Sequence, residues 1–193
     1  MLVDGSDKVL FDWSRDGKYL AYWPVGAGTG TPDLWIYSME GQSAEVLIDG
    51  EPTYTDARFS PDGQWIAYAA DDTGDLEVFV QALGREGDGQ GPGRMKGGAR
   101  LRVSTTGGEQ PHWRDDGREI IYMDPDQRLM AVAVEVQQNR LALGTPRELF
   151  AIERRVVTGD MTGDHQRFLL ATRDKMPSEP LHVILNWPAG LAP

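Results

Sequence analysis

Short runs of apolar side chains, five or so residues long and parted by turn residues, make up most of this chain, which favours strands over helices. Leu76-Glu77-Val78-Phe79-Val80 alternates as a half-buried strand does, because successive side chains on an extended backbone point to opposite faces. Trp65-Ile66-Ala67-Tyr68-Ala69 is richer still in types that pack well on a pleated surface. Between Phe59 and Trp65 stands Ser60-Pro61-Asp62-Gly63. Its proline pre-sets φ, its aspartate can bond the backbone two residues on, and its glycine accepts a positive φ. Asp72-Thr73-Gly74-Asp75 turns the chain again. Residues 59–83 therefore read as strand, tight turn, strand, turn, strand, which is a meander.

The layout recurs. Trp13-Ser14-Arg15-Asp16-Gly17-Lys18-Tyr19-Leu20-Ala21-Tyr22 repeats it, and so does Trp113-Arg114-Asp115-Asp116-Gly117-Arg118-Glu119-Ile120-Ile121-Tyr122. A weaker copy runs from Met161 to Leu170, with His165 in the glycine slot. The turn aspartates Asp16, Asp62, Asp116 and Asp164 are spaced by 46, 54 and 48 residues (62−16, 116−62, 164−116). A period near fifty made only of short strands predicts an all-β propeller of four blades, each a four-stranded antiparallel meander. The long middle interval is taken up by a glycine-rich insertion between Arg85 and Arg100.

In this register the whole chain, 1–193, is one domain, with blades at about 8–50, 51–105, 106–150 and 151–193. Third strands are expected at 33–37, 76–80, 129–134 and 181–185, and fourth strands at 44–48, 101–104 and 147–150. Residues 1–5 read as an orphan outer strand, since Leu2-Val3-Asp4-Gly5 matches Leu47-Ile48-Asp49-Gly50. The last blade, by the same reading, lacks its fourth strand. These complementary defects predict either closure at four blades or a half-ring that pairs with a second copy through the terminal strands, the second being favoured.

The aromatic-Ser-Pro-Asp-Gly hallmark, followed by a charged residue and an apolar strand, resembles the repeats of TolB-like β-propellers. The run from Val103 to Trp113 and the ending Val183-Ile184-Leu185-Asn186-Trp187-Pro188 are most similar to propellers that follow bacterial serine/threonine kinase-like domains. The resemblance implies part of a larger propeller, a binding module for protein or small ligand, and a periplasmic or extracytoplasmic setting.

Charge narrows the partners. Thirty acids against nineteen bases give a net charge of −11, which repels phosphate backbones and anionic lipid alike, so nucleic acid is excluded. No run in the sequence is long and apolar enough to insert in a membrane. Cysteine is absent, which removes disulfides and thiolate chemistry.

Candidate chemistry is thin. No Gly-x-Ser-x-Gly elbow occurs, and the three histidines His112, His165 and His182 lack the spacing of a zinc site. The glycine clusters at 26–30 and 87–93 carry no Gly-Lys-Ser/Thr and read as hairpin tips rather than phosphate cradles. Asp71 to Asp75 and Asp124 to Asp126 read as capped turns rather than calcium loops. The expectation is therefore a non-enzymatic module with no cofactor and no metal. Two rivals stand beside it: the gating propeller of a prolyl-oligopeptidase-like peptidase, and a purely structural half-propeller.

One row of residues stands out. Asp12, Arg58, His112 and Asp160 each immediately precede a motif residue on the strand expected to be innermost. Four polar residues at one register suit a binding site at the channel mouth, and equally suit ion pairing between neighbouring blades, as of Asp12 with Arg58. The residues beside them, Trp13, Phe59, Trp113 and Met161, are expected to be core wedged between blades.

Overall fold

In the computed structural model, residues 7–25, 33–48, 53–71, 74–83, 100–137, 140–153, 155–173 and 182–185 are described, and all of their regular structure is strand. The orphan strand at 1–5, the two glycine clusters and the chain beyond 185 lie outside the described residues. The first sheet is a meander of β1 (Asp7–Trp13), β2 (Tyr19–Val25), β3 (Leu34–Ser38) and β4 (Ser43–Ile48), hydrogen-bonded in that order. The second repeats it with β5 (Tyr54–Phe59), β6 (Trp65–Asp71), β7 (Leu76–Ala82) and the short β8 (Leu101–Arg102).

The third sheet departs from the pattern. Following β9 (Glu109–Trp113) and β10 (Glu119–Met123), β11 (Arg128–Gln137) is ten residues long and overruns its neighbours. The overhang, Val134 to Gln137, pairs with β12 (Arg140–Leu143), while the first half pairs with β13 (Arg147–Ala151). The expected fourth strand is thus present as β13, but an extra hairpin precedes it. In the last sheet β14 (Arg155–Met161), β15 (Arg167–Arg173) and β16 (His182–Leu185) are described.

Blades stack through alternate faces of each second strand. On β6, Ile66, Tyr68 and Ala70 pack toward blade 1 with Leu34, Ile36 and Leu47, while Trp65 and Ala67 pack toward blade 3 with Ile120, Tyr122 and Val132. On β10 the other side chains, Ile121 and Met123, join Phe168 and Leu170 of blade 4. Ile66, Tyr68, Ile120 and Ile121 are fully buried. Burial of each such side chain contributes about 1.5–3 kcal/mol, so the period-two pattern and the blade stacking are one fact.

The innermost strands carry a shared irregularity. Each is bulged against its second strand: between Leu10 and Asp12, Thr55 and Arg58, the partners of Met123 and Ile121, and Val156 and Thr158. In the two middle blades the bulge holds Asp56 at φ +52° and Gln110 at φ +54°. A bulge bends its strand and re-aims the side chains beyond it, here the polar row two residues on.

Candidate functional site

The four motif turns are built alike. In each, the aspartate Oδ1 accepts the backbone N–H two residues on: Lys18 at 3.1 Å, Gln64 at 3.0 Å, Arg118 at 3.0 Å and Gln166 at 3.0 Å. Ser14, Ser60 and Thr162 donate their hydroxyls to the same oxygen at 2.7, 2.5 and 2.5 Å. Those hydroxyls in turn accept the N–H of Tyr19, Trp65 and Arg167. Blade 3 substitutes an arginine, and Arg114 Nε and Nη2 reach Asp116 at 2.9 and 2.5 Å. That fork holds the Asp116 carboxyl down at about 2. The αL slot is filled by Gly17, Gly63 and Gly117 at φ +75°, +68° and +70°, and by His165 at +57°. Histidine is among the few residues with a side chain that are enriched in that region.

Neighbouring turns touch. Asp115 N–H donates to Gly163 O at 2.7 Å, joining the turns of blades 3 and 4. Arg15 Nη1 lies 3.5 Å from Asp115 Oδ1, so the turn of blade 1 reaches that of blade 3 over blade 2. Turns one hundred residues apart in sequence meet because the blades rotate about a common axis.

Beneath the turns lies the polar row. β5 lies against β1 and β9, as innermost strands do. Asp12 and Arg58 face one another across blades 1 and 2, yet neither bonds the other's charged group. Asp12 Oδ2 accepts the Phe59 N–H at 2.8 Å, and Arg58 Nη1 donates to the Phe11 carbonyl. The expected ion pair is instead a reciprocal clasp of side chain to backbone. Burial pushes the Asp12 carboxyl up, opposed by the Phe59 N–H and the Arg58 charge. His112 is the fourth of the five residues in β9. Burial brings its imidazole down to about 4, Arg58 adds to the fall, and Asp160 opposes it. Asp160 is exposed and accepts the N–H of its own neighbour Met161 at 2.8 Å. The structure therefore brings Asp12, Arg58 and His112 together half-buried between blades, with Asp160 close enough for His112 to feel its charge.

Two features escaped sequence reasoning. The first is a cleft of about 540 Å³ between the turns of blades 2 and 3, walled by Pro61, Trp65, Trp113 and Val136 and rimmed by Asp62 and Arg118. Val136 stands on the overhang of β11, 49% exposed. The β11–β12 hairpin deepens this cleft, and no turn motif announces it. The second is Glu77, 8% exposed, which takes bonds from Arg102, from the Ser104 hydroxyl and, at 3.2 Å, from Gly107 N–H.

Two turns expected to be capped are so: Gly74 N–H donates to Asp71 Oδ1 at 2.7 Å, and Arg128 N–H to Asp124 Oδ1 at 2.8 Å. One expectation fails. Phe59 is buried and Trp113 and Met161 pack into the inter-blade clusters, but Trp13 is 55% exposed. The motif residue packs on the blade before its own, and among the described residues no blade precedes blade 1.

No protein-family model and no curated protein sequence matches the chain. Solved structures do. TolB from Acinetobacter baumannii is similar at 16% identity, covering 89% of this chain and 39% of that one, with a TM-score of 0.61. The Cps50 (Swd1) β-propeller domain of Myceliophteria thermophila is similar at 13% identity, 95% and 53% coverage and a TM-score of 0.58. A prolyl endopeptidase is similar at 12% identity, 86% and 26% coverage and a TM-score of 0.51. The chain thus spans from about a quarter to about half of each. At such identities the likeness is one of fold. That fold is a β-propeller like that of TolB, and the described residues form four of its blades.

Proposed function

We propose that the chain is a non-catalytic binding propeller, the sensor or scaffold part of a larger bacterial protein, and that it takes a protein segment or small ligand on the face where the motif turns emerge. The cleft between blades 2 and 3 carries this reading. Two indole walls, a proline and an exposed valine supply apolar area, and the charged rim supplies orientation, the usual make-up of a ligand pocket. The hydroxyls and carboxylates of the repeats are committed to closing turns, which makes the face a rigid frame for the hairpins above it. The row Asp12, Arg58, His112 and Asp160 serves, on this reading, to fix the angle between blades.

The test is peptide phage display on the immobilised chain, followed by calorimetric titration of the enriched peptide. Val136→Glu and Arg118→Glu are expected to weaken binding at least tenfold while melting with the wild type. No enrichment, or equal affinity for both variants, contradicts the proposal. The likeness to a prolyl endopeptidase favours a second reading, the gating propeller of a serine peptidase. Stoichiometric labelling of a serine of this chain by a fluorophosphonate would contradict the non-catalytic part of the first.

A further inference from the structure

The two indoles that wall the cleft between blades 2 and 3 are not alike in their bonding. Trp113 donates its Nε1–H to the Arg58 carbonyl at 3.2 Å, which ties that ring across the joint. Trp65 is 7% exposed, and its buried Nε1–H has no acceptor among the described residues. A buried donor without a partner costs free energy, and native folds leave few of them.

The charged groups around the cleft share the bias. Asp62 is held by the Ser60 hydroxyl and the Gln64 N–H, Asp116 by the Arg114 fork, and Asp115 lies against Arg15. Arg118 differs. Its backbone N–H closes the Asp116 turn, but no described residue takes a hydrogen bond or ion pair from its guanidinium. The side-chain groups left without a partner here, Trp65 Nε1–H and the Arg118 guanidinium, are both donors, set among flat apolar walls.

We propose that the cleft takes a proline-rich segment in the polyproline II form, with an acid that pairs with Arg118. This rests on the cleft being the binding site and names what fills it. Proline offers a carbonyl acceptor and no N–H, so it brings no donor that a donor-lined cleft would leave unpaired. Such a segment is extended before it binds, which lowers the cost of ordering, and aromatic-lined grooves capture it on that basis. One proline ring seats between Trp113 and Val136, and a neighbouring carbonyl accepts the Trp65 Nε1–H. Because that atom is covered, the Trp65 ring tilts as the carbonyl arrives. Polyproline II has three residues per turn, so the acid is expected three residues from the seated proline, on the same face.

Peptides enriched from a random display library on the 193-residue chain decide it. They are expected to carry proline with an acid three residues away. Replacing that proline by alanine is expected to weaken binding about tenfold, through the lost ring contacts. Trp65→Phe keeps a ring and removes the N–H, and is expected to weaken binding about fivefold. Arg118→Glu is expected to favour the peptide with lysine in place of its acid. If Trp65→Phe fails to fold, the indole N–H resonance of wild-type Trp65 is followed instead, and it is expected to shift downfield as peptide is added. Equal affinity in a folded Trp65→Phe, or an unmoved resonance, overturns the bond to Trp65. Enriched peptides without proline that lose affinity in Val136→Glu overturn the proline-rich occupant and leave the cleft as the binding site. Enriched peptides indifferent to Val136→Glu, or no enrichment, overturn the cleft itself.

Discussion

His165 holds its Nδ1 3.4 Å from Glu119 Oε1, across the joint between blades 4 and 3, from a backbone at φ +57°. Its side chain is buried, and Glu119 also pairs with Arg147 at 2.7 Å. A residue in the glycine slot of the weakest repeat thus became a contact between blades. His165→Ala forfeits the contact and keeps the left-handed backbone, whereas His165→Gly forfeits the contact and relieves the backbone. Both variants are expected to be less stable than wild type, the alanine one by about 1 kcal/mol more, the cost of a Cβ in that region. Urea midpoints decide it, and equal midpoints would remove the strain from the account.

His112 makes stability depend on pH. Its folded pKa of about 4 lies below the ordinary 6.5, so on acidification the unfolded chain takes the proton first. The contribution is complete above about pH 6.5 and is lost progressively down to about pH 4. His165, also lowered by burial, acts in the same direction. Asp12, whose carboxyl is raised above 3.8, acts in the opposite direction, from acid toward neutral pH. Melting temperature is expected to fall between pH 7 and 4.5, and to fall less in His112→Gln. Parallel curves would place the imidazole in water.

Gly63 isolates backbone strain from crowding, because a Cβ added there meets nothing within 4 Å at φ +68°. Gly63→Val is expected to cost about 1–2 kcal/mol, with Gly63→Asn milder, since asparagine tolerates the region. A valine variant that melts with the wild type would contradict the turn geometry.

The turns were legible in the sequence because everything that forms them lies within six residues: the Asp62 carboxylate, the Ser60 hydroxyl and the Gly63 backbone close on one another. Whatever depends on a neighbouring blade was not. Trp13 carries the same motif as Trp113 and Phe59, yet its burial is decided by a blade that its own sequence does not describe. The clasp of Asp12 on Phe59 is aimed by bulges that no residue type announces, and the ion pair that charge alone suggested did not form. The cleft escaped notice because the overhang of β11 follows from strand length rather than from any motif.

Ser104 closes the outer edge of blade 2. Its hydroxyl donates to buried Glu77 and accepts the Val78 N–H at 2.9 Å. Ser104→Ala leaves both groups short of a partner at a site 1% exposed. A loss of about 1–3 kcal/mol is expected in denaturant unfolding. A loss below 0.5 kcal/mol would mean that the Glu77 cluster adds nothing to the blade.

Four blades turning about one axis bring the turn of blade 1 to that of blade 3. The chain has no cysteine, so Arg15→Cys with Asp115→Cys supplies the only two thiols. Treatment with a short bismaleimide, followed by digestion and mass spectrometry, is expected to yield a crosslink between those peptides within a single chain, carried by the species of one-chain mass. Modification of both thiols with no crosslink within the chain would contradict the shared axis.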